Sequence, residues 1–220
     1  MAEEVVFEDF QPKEIKFKKY LELRDITIAW LAISICFALV LGGFNVIAGI
    51  KIKFLFAWAK LPLYLIISLI VTGTSFILHE LAHKYSAIYI GAKAKFVMWR
   101  NSLILSVAFS AIVGFVFVAP GAVYIYGKRL TIKEDGLTSL AGPAINIIMG
   151  FIFIIIFILL GSPQTGLASL IISYGIFINF WIALFNLLPI GPLDGRKIFT
   201  WNPAIWVIAT AIPVLFLFIF

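Results

Sequence analysis

Histidine, cysteine and charge are all scarce in this chain, and each scarcity excludes something. There are two histidines, His79 and His83, and one cysteine, Cys36. A single thiol excludes an intrachain disulfide and a cysteine-rich zinc site. Charged residues make up 13% of the 220 positions and hydrophobic ones 63%, whereas soluble domains carry about 25% charged and about 45–50% apolar residues. With a mean hydropathy of +1.10, the surplus apolar surface has to face a lipid bilayer. No apolar h-region precedes residue 26, where the chain is charged throughout, so no cleavable signal peptide is visible. The net charge of +6 would point to nucleic acid in a soluble protein. Here most of the 17 Lys and Arg fall in short polar breaks between apolar runs, where the positive-inside rule puts them, and no nucleic-acid partner is expected.

What remains is a succession of long apolar runs. Residues 1–25 form a polar or interfacial arm, and residues 26–220 a transmembrane domain with its core at 61–200. The first run goes from Ile26 to about Ile50 and is followed by a basic break at 51–60. The second, Leu61 to about Ile90, is interrupted by His79, Glu80, His83 and Lys84. Residues 92–130 do not read as a simple span. Ala92–Trp99 and Val116–Tyr126 have the alternation and β-branched or aromatic content of strands, the second around Pro120-Gly121, and a short apolar segment lies between them. Two further spans run from Leu137 to Leu160 and from Leu167 to Leu188. A last run, Trp201 to Phe220, ends without a polar flank, the pattern of a truncated sequence. The expected fold is an all-α polytopic membrane protein: a helical bundle of about five spans, plus a re-entrant β/helix element at about 92–130. Charge bias puts the N-terminus in the cytosol, with the basic breaks at 93–100, 128–133 and 196–197 on the same side. That requires residues 101–127 to enter the membrane and return. The alternative is one more ordinary helix.

The chemistry is carried by His79-Glu80-Leu81-Ala82-His83. On a helix, positions i and i+4 share a face, so both imidazoles can reach one Zn²⁺, with Glu80 beside them to take a proton from water that the metal activates. Ionisable groups inside an apolar span are costly and by default functional. A catalytic zinc has three protein ligands and an open position. There is no third histidine, and the acidic residues downstream of Glu80 are Glu134, Asp135 and Asp194. The first two sit in a polar break beside Lys133. Asp194 follows a span in the Pro- and Gly-rich stretch Pro189–Gly195, where an irregular loop can bring its carboxylate back to the histidines. It becomes the expected third ligand; its other reading is an N-cap for the next helix.

Three motifs in this order resemble the site-2 protease family of intramembrane zinc metalloproteases. They are His79-Glu80-Leu81-Ala82-His83, then Ala141-Gly142-Pro143-Ala144-Ile145-Asn146, then Asn186-Leu187-Leu188-Pro189 with Pro192-Leu193-Asp194-Gly195. The resemblance covers about residues 61–200. It implies one Zn²⁺ per chain on His79, His83 and Asp194, with Glu80 activating water. It also implies a membrane-dipping β-element around Ala119-Pro120-Gly121-Ala122. The resemblance further implies that a transmembrane segment of a substrate protein unwinds and adds to the edge of this element as a strand. Arg196 stands where the family usually has a small residue, and the stretch 100–116 resembles an insertion.

Asn146 and Asn186 have two readings, contact with the oxyanion or substrate backbone or hydrogen-bonded glue between helices; Pro120 and Gly121 are candidate substrate contacts. Asn179 reads as glue. Two other functions use the same residues: a metal-binding membrane protein or transporter built on the His/Asp cluster, and a membrane zincin of the prenyl-protein protease type, whose downstream Glu ligand would have to be Glu134.

Overall fold

The computed structural model describes residues 19–43, 60–116 and 120–219. Most of the expected arm, most of the break at 51–60 and part of the second expected strand lie outside these residues. The chain folds as a polytopic all-α membrane protein with one small sheet. Helix α1 (Lys19–Leu41) starts seven residues before the first apolar run, because its polar first turns are used by the sheet described below. Helix α2 (Leu61–Tyr89) is 29 residues long. It opens with Pro62 in its first turn, where the missing N–H costs nothing, and contains one π turn at Gly73–Ile77.

After α2 the chain forms β1 (Lys93–Met98), helix α3 (Arg100–Val113) and β2 (Gly121–Tyr126). The strands pair antiparallel, from Lys93 opposite Tyr126 to Met98 opposite Gly121. The excursion thus comes back beside its starting point, with α3 packed on α1. Helix α4 (Ile132–Leu159) begins with a capping box in which Thr131 and Glu134 satisfy each other's backbone N–H groups. Helix α5 (Gly166–Asn186), the short α6 (Asp194–Trp201) and α7 (Pro203–Ile219) complete the chain.

Four helices, α1, α2, α4 and α5, are long and apolar enough to cross a membrane. The expected fifth, α7, has 17 residues; these rise ~25 Å, short of the ~30 Å hydrocarbon core. Helices α2, α4 and α5 pack on one another at the centre, α1 lies against α2, α6 against α4 and α7 against α5. One buried cluster joins Ile33 and Phe37 of α1 to Ile67 and Phe76 of α2, Phe96 of β1 and Ile178 of α5. Polar stitches add to it: the Trp30 indole N–H donates to the Leu69 carbonyl at 3.1 Å, and the Ser34 and Thr72 hydroxyls meet.

The two edges of the sheet differ. On β1, the Phe96 N–H donates to Glu22 Oε1 at 3.1 Å and the Met98 N–H points at Asp25 Oδ2 at 3.5 Å. Glu22 and Asp25 are three apart on α1, on one helix face, so two carboxylates cap the outer edge of β1. Lys84 of α2 adds an ion pair to Glu22 at 2.8 Å. Because strand backbone groups alternate in direction, Lys93, Lys95 and Val97 then face β2. The Trp99 N–H donates to the Pro120 carbonyl at 2.9 Å in the same sense. On β2 the groups of Ala122, Tyr124 and Tyr126 face β1, and those of Gly121, Val123 and Ile125 face away. Among the described residues no third strand pairs with that second edge.

Candidate metal centre

His79 and His83 lie one turn apart on α2, buried to 3% and 8% exposure. Their Nε2 atoms are 3.0 Å apart. Asp194, the first residue of α6, brings Oδ2 to 3.4 Å from His79 Nε2 and 3.1 Å from His83 Nε2. Asp194 is not an N-cap: that position is Leu193. The turn Leu187–Leu193 folds α6 back tightly. A Cβ at Gly195 would run into the Leu187 and Leu188 carbonyls, and the Trp206 indole N–H holds the Leu187 carbonyl at 2.7 Å.

The donor set fits zinc. His83 Nδ1 lies 2.8 Å from the Thr138 carbonyl, which can only accept, so Nδ1 carries the proton. His79 Nδ1 meets Asn146 Oδ1 in the same sense. Both Nε2 lone pairs are thereby turned inward towards a carboxylate oxygen. Three acceptors facing one another without a donor between them form a donor set for a cation, whose charge takes the place of a proton on one imidazole. Bonds of ~2.0–2.1 Å to a tetrahedral zinc put neighbouring ligand atoms roughly 3.3–3.4 Å apart, close to the three separations found here. Helix α4 leaves the space: a Cβ at Gly142 would stand 2.6 Å from His79 Nε2 and nearer still to His83 Nε2. Among the described residues this is the one group of His, Cys, Asp or Glu side chains close enough to hold a metal.

A cavity of about 100 Å³ opens beside this triangle. Glu80 lines it at 8% exposure, and no hydrogen bond to a described residue ties its carboxylate down. Pro120, Gly121, Ala122, Val123 and Ile125 line it too, which puts β2 with its second edge beside the metal ligands. Asn186 reaches it from the end of α5 and Lys197 from α6, where Lys197 pairs with Asp135 of α4 at 3.3 Å.

The structure therefore brings together His79, Glu80, His83, Asp194, Asn186, Pro120 and Gly121. It puts Asn146 elsewhere, behind His79 and away from the cavity wall, with its amide engaged on both sides. Glu134 is spent on Lys128 and on the α4 cap, outside the ligand group, and this removes the residue the prenyl-protease reading needs. Cys36 is buried in the α1 core. Thr138, Lys197 and the aromatic wall residues Phe76 and Trp99 were not legible as site residues, since nothing in their spacing sets them apart from neighbours in the same helices and strand.

Two curated proteins are similar to this chain. One, from Methanocaldococcus jannaschii, bears the name "Putative zinc metalloprotease MJ0611" and is 43% identical over 166 residues, 74% of this chain and 84% of that protein. The other, from Bacillus subtilis, is named "Putative zinc metalloprotease YwhC" and is 35% identical over 161 residues, 66% of this chain and 72% of that protein. No family model matches the chain, and no solved structure matches it significantly.

Proposed function

This chain belongs to the same zinc metalloprotease family as those archaeal and bacterial relatives, and on that premise we propose that it is an intramembrane protease of the site-2 type. It hydrolyses peptide bonds within or near transmembrane segments of other proteins. The observation that carries this reading is the position of Glu80: among the described residues its carboxylate has no hydrogen-bond partner, and it lies in a cavity walled on one side by the metal ligands and on another by a strand edge that no described strand pairs.

Zinc on His79, His83 and Asp194, one ion per chain, would supply Lewis-acid activation of water and of the scissile carbonyl. Glu80 moves the proton. It takes one from the attacking water and returns it to the leaving amine. The backbone groups of Gly121, Val123 and Ile125 receive the substrate as an added strand, and an extended backbone exposes the scissile carbonyl that a helix would hide. Asn186 helps hold that backbone at the end of α5. Supporting this, the open edge and the HExxH turn face one cavity while the opposite edge is occupied by Glu22 and Asp25. We place the N-terminus in the cytosol, with the active site nearer that side, following the basic breaks at 93–100, 128–133 and 196–197.

The test is zinc content and cleavage of a model transmembrane substrate, measured side by side on detergent-purified wild type, Glu80→Gln and Asp194→Ala. The expected pattern is one zinc and cleavage for wild type, zinc without cleavage for Glu80→Gln, and loss of zinc for Asp194→Ala. Zinc without cleavage in the wild type would remove the protease reading and leave metal binding or transport in its place, whereas cleavage by Glu80→Gln at the wild-type rate would remove Glu80 as the group that moves the proton.

A further inference from the structure

Behind the metal ligands, in the driest part of the bundle, two asparagines from different helices touch. Asn146 of α4 and Asn179 of α5 are both at 0% exposure. The Asn179 Nδ2 donates to the Gly175 carbonyl one turn earlier at 2.8 Å. The Asn146 Nδ2 donates to Asn179 Oδ1 at 3.2 Å and to the Ser75 carbonyl at 2.9 Å. Asn146 Oδ1 meets His79 Nδ1.

The direction of this chain of hydrogen bonds is set at both ends by backbone. A carbonyl can only accept. The Gly175 carbonyl therefore takes the Asn179 amide nitrogen and leaves Asn179 Oδ1 pointing at Asn146. Asn146 now faces two acceptors, Asn179 Oδ1 and the Ser75 carbonyl, and must turn its NH₂ towards them. Only its oxygen is left for His79, which has to donate from Nδ1 and keep Nε2 bare. With Asn146 reversed, its oxygen would face two other oxygens. Its NH₂ would favour the opposite tautomer of His79, with a proton where the metal binds. The π turn supplies one of the two backbone anchors. Ser75 lies inside it, and its carbonyl accepts the Leu78 N–H, three residues on, with a second lone pair free for Asn146. π turns inside α-helices occur often at functional sites.

We propose that Asn179, together with the Ser75 carbonyl of the π turn, is a positioning element for zinc: it fixes the amide of Asn146, which fixes the tautomer of His79. The relay links α2, α4 and α5 and ends on a metal ligand. It rests on the zinc site described above and not on proteolysis, so metal binding is its readout.

The experiment is zinc affinity by chelator competition, with the visible spectrum of the Co²⁺-substituted protein, on detergent-purified full chain. The variants are Asn146→Ala, Asn179→Ala and the double variant; Ser34→Ala, which removes a buried hydroxyl bonded to the Trp30 carbonyl and the Thr72 hydroxyl and to no member of the relay, is the packing control. Losing a group that orients a metal ligand typically costs about 10–100-fold in affinity. Asn146→Ala is expected to fall in that range and Asn179→Ala at its lower end, near 10-fold, both with an altered Co²⁺ spectrum. The double variant is expected to bind no more weakly than Asn146→Ala, because Asn179 acts only through Asn146. Ser34→Ala is expected to keep wild-type affinity and spectrum while lowering thermal stability. Wild-type affinity and spectrum in Asn179→Ala would overturn the relay alone, as would additive losses in the double variant or an equal loss of affinity in Ser34→Ala. A wild type that binds no zinc would overturn the metal site and the relay with it.

Discussion

At the scale of single residues, the metal centre depends as much on what is missing as on its ligands. Gly142 leaves room on α4 for the facing Nε2 atoms. Alanine is a better helix former than glycine, so Gly142→Ala is expected to keep α4 while its methyl enters the ligand triangle. Metal analysis is expected to find zinc lost from this variant, with helix content by circular dichroism unchanged; full zinc occupancy would show that α4 can retreat. His79, Glu80 and His83 were legible in the sequence because five adjacent residues carry their own geometry, one helical turn and a shared face. Asp194 was legible by elimination, since so few acidic residues lie downstream. Asn146 and Asn179 were both seen, Asn179 as glue between helices, but their pairing was not. Which way an amide points is decided by the carbonyls of Ser75 and Gly175, and those come near only when three helices pack.

At the scale of elements, the sheet is the part whose details hydropathy hid most. The strands on either side of Pro120-Gly121 and the apolar helix between them could be read from alternation and length. The capping of β1 by α1 could not. Glu22 and Asp25 look like members of a polar arm, and only the fold shows that α1 carries them to the N–H groups of Phe96 and Met98. The two edges of β2 give a paired prediction. Proline is tolerated in a strand where its missing N–H faces away from the ladder. Val123→Pro, at the open edge, is expected to leave zinc content and folding intact and to raise the KM for a transmembrane substrate at least about tenfold, the effect of ~1.4 kcal/mol, in the range of one lost hydrogen bond. Ala122→Pro faces β1 and is expected to break the sheet, read as a fall in thermal stability. Equal kinetics for Val123→Pro and wild type would mean that substrate does not use this edge.

At the scale of the whole molecule, the zinc ligands tie together parts of the chain far apart in sequence. His79 and His83 belong to α2, while Asp194 starts α6, which packs on α4. A ligand that binds the folded state alone adds stability of RT ln(1 + [L]/Kd), about 4 kcal/mol at a thousandfold excess over Kd. Removing zinc with a chelator is therefore expected to lower the unfolding temperature. It is also expected to speed amide exchange first in α6, where Asp194 would be left facing two imidazole lone pairs. Restoring zinc should reverse both; exchange that accelerates uniformly, or not at all, would show that α6 is held by packing and by the Lys197–Asp135 pair without the metal.

The capped edge of β1 has a consequence of valence. A sheet with two open edges can grow in both directions and recruit a second copy of itself; this one, with Glu22 and Asp25 filling one side, has a capacity of a single strand. If substrate adds to the remaining edge as proposed, occupancy of that one place is all or nothing: two substrates would not be held at once, and a cleaved strand would have to vacate the edge before the next could enter.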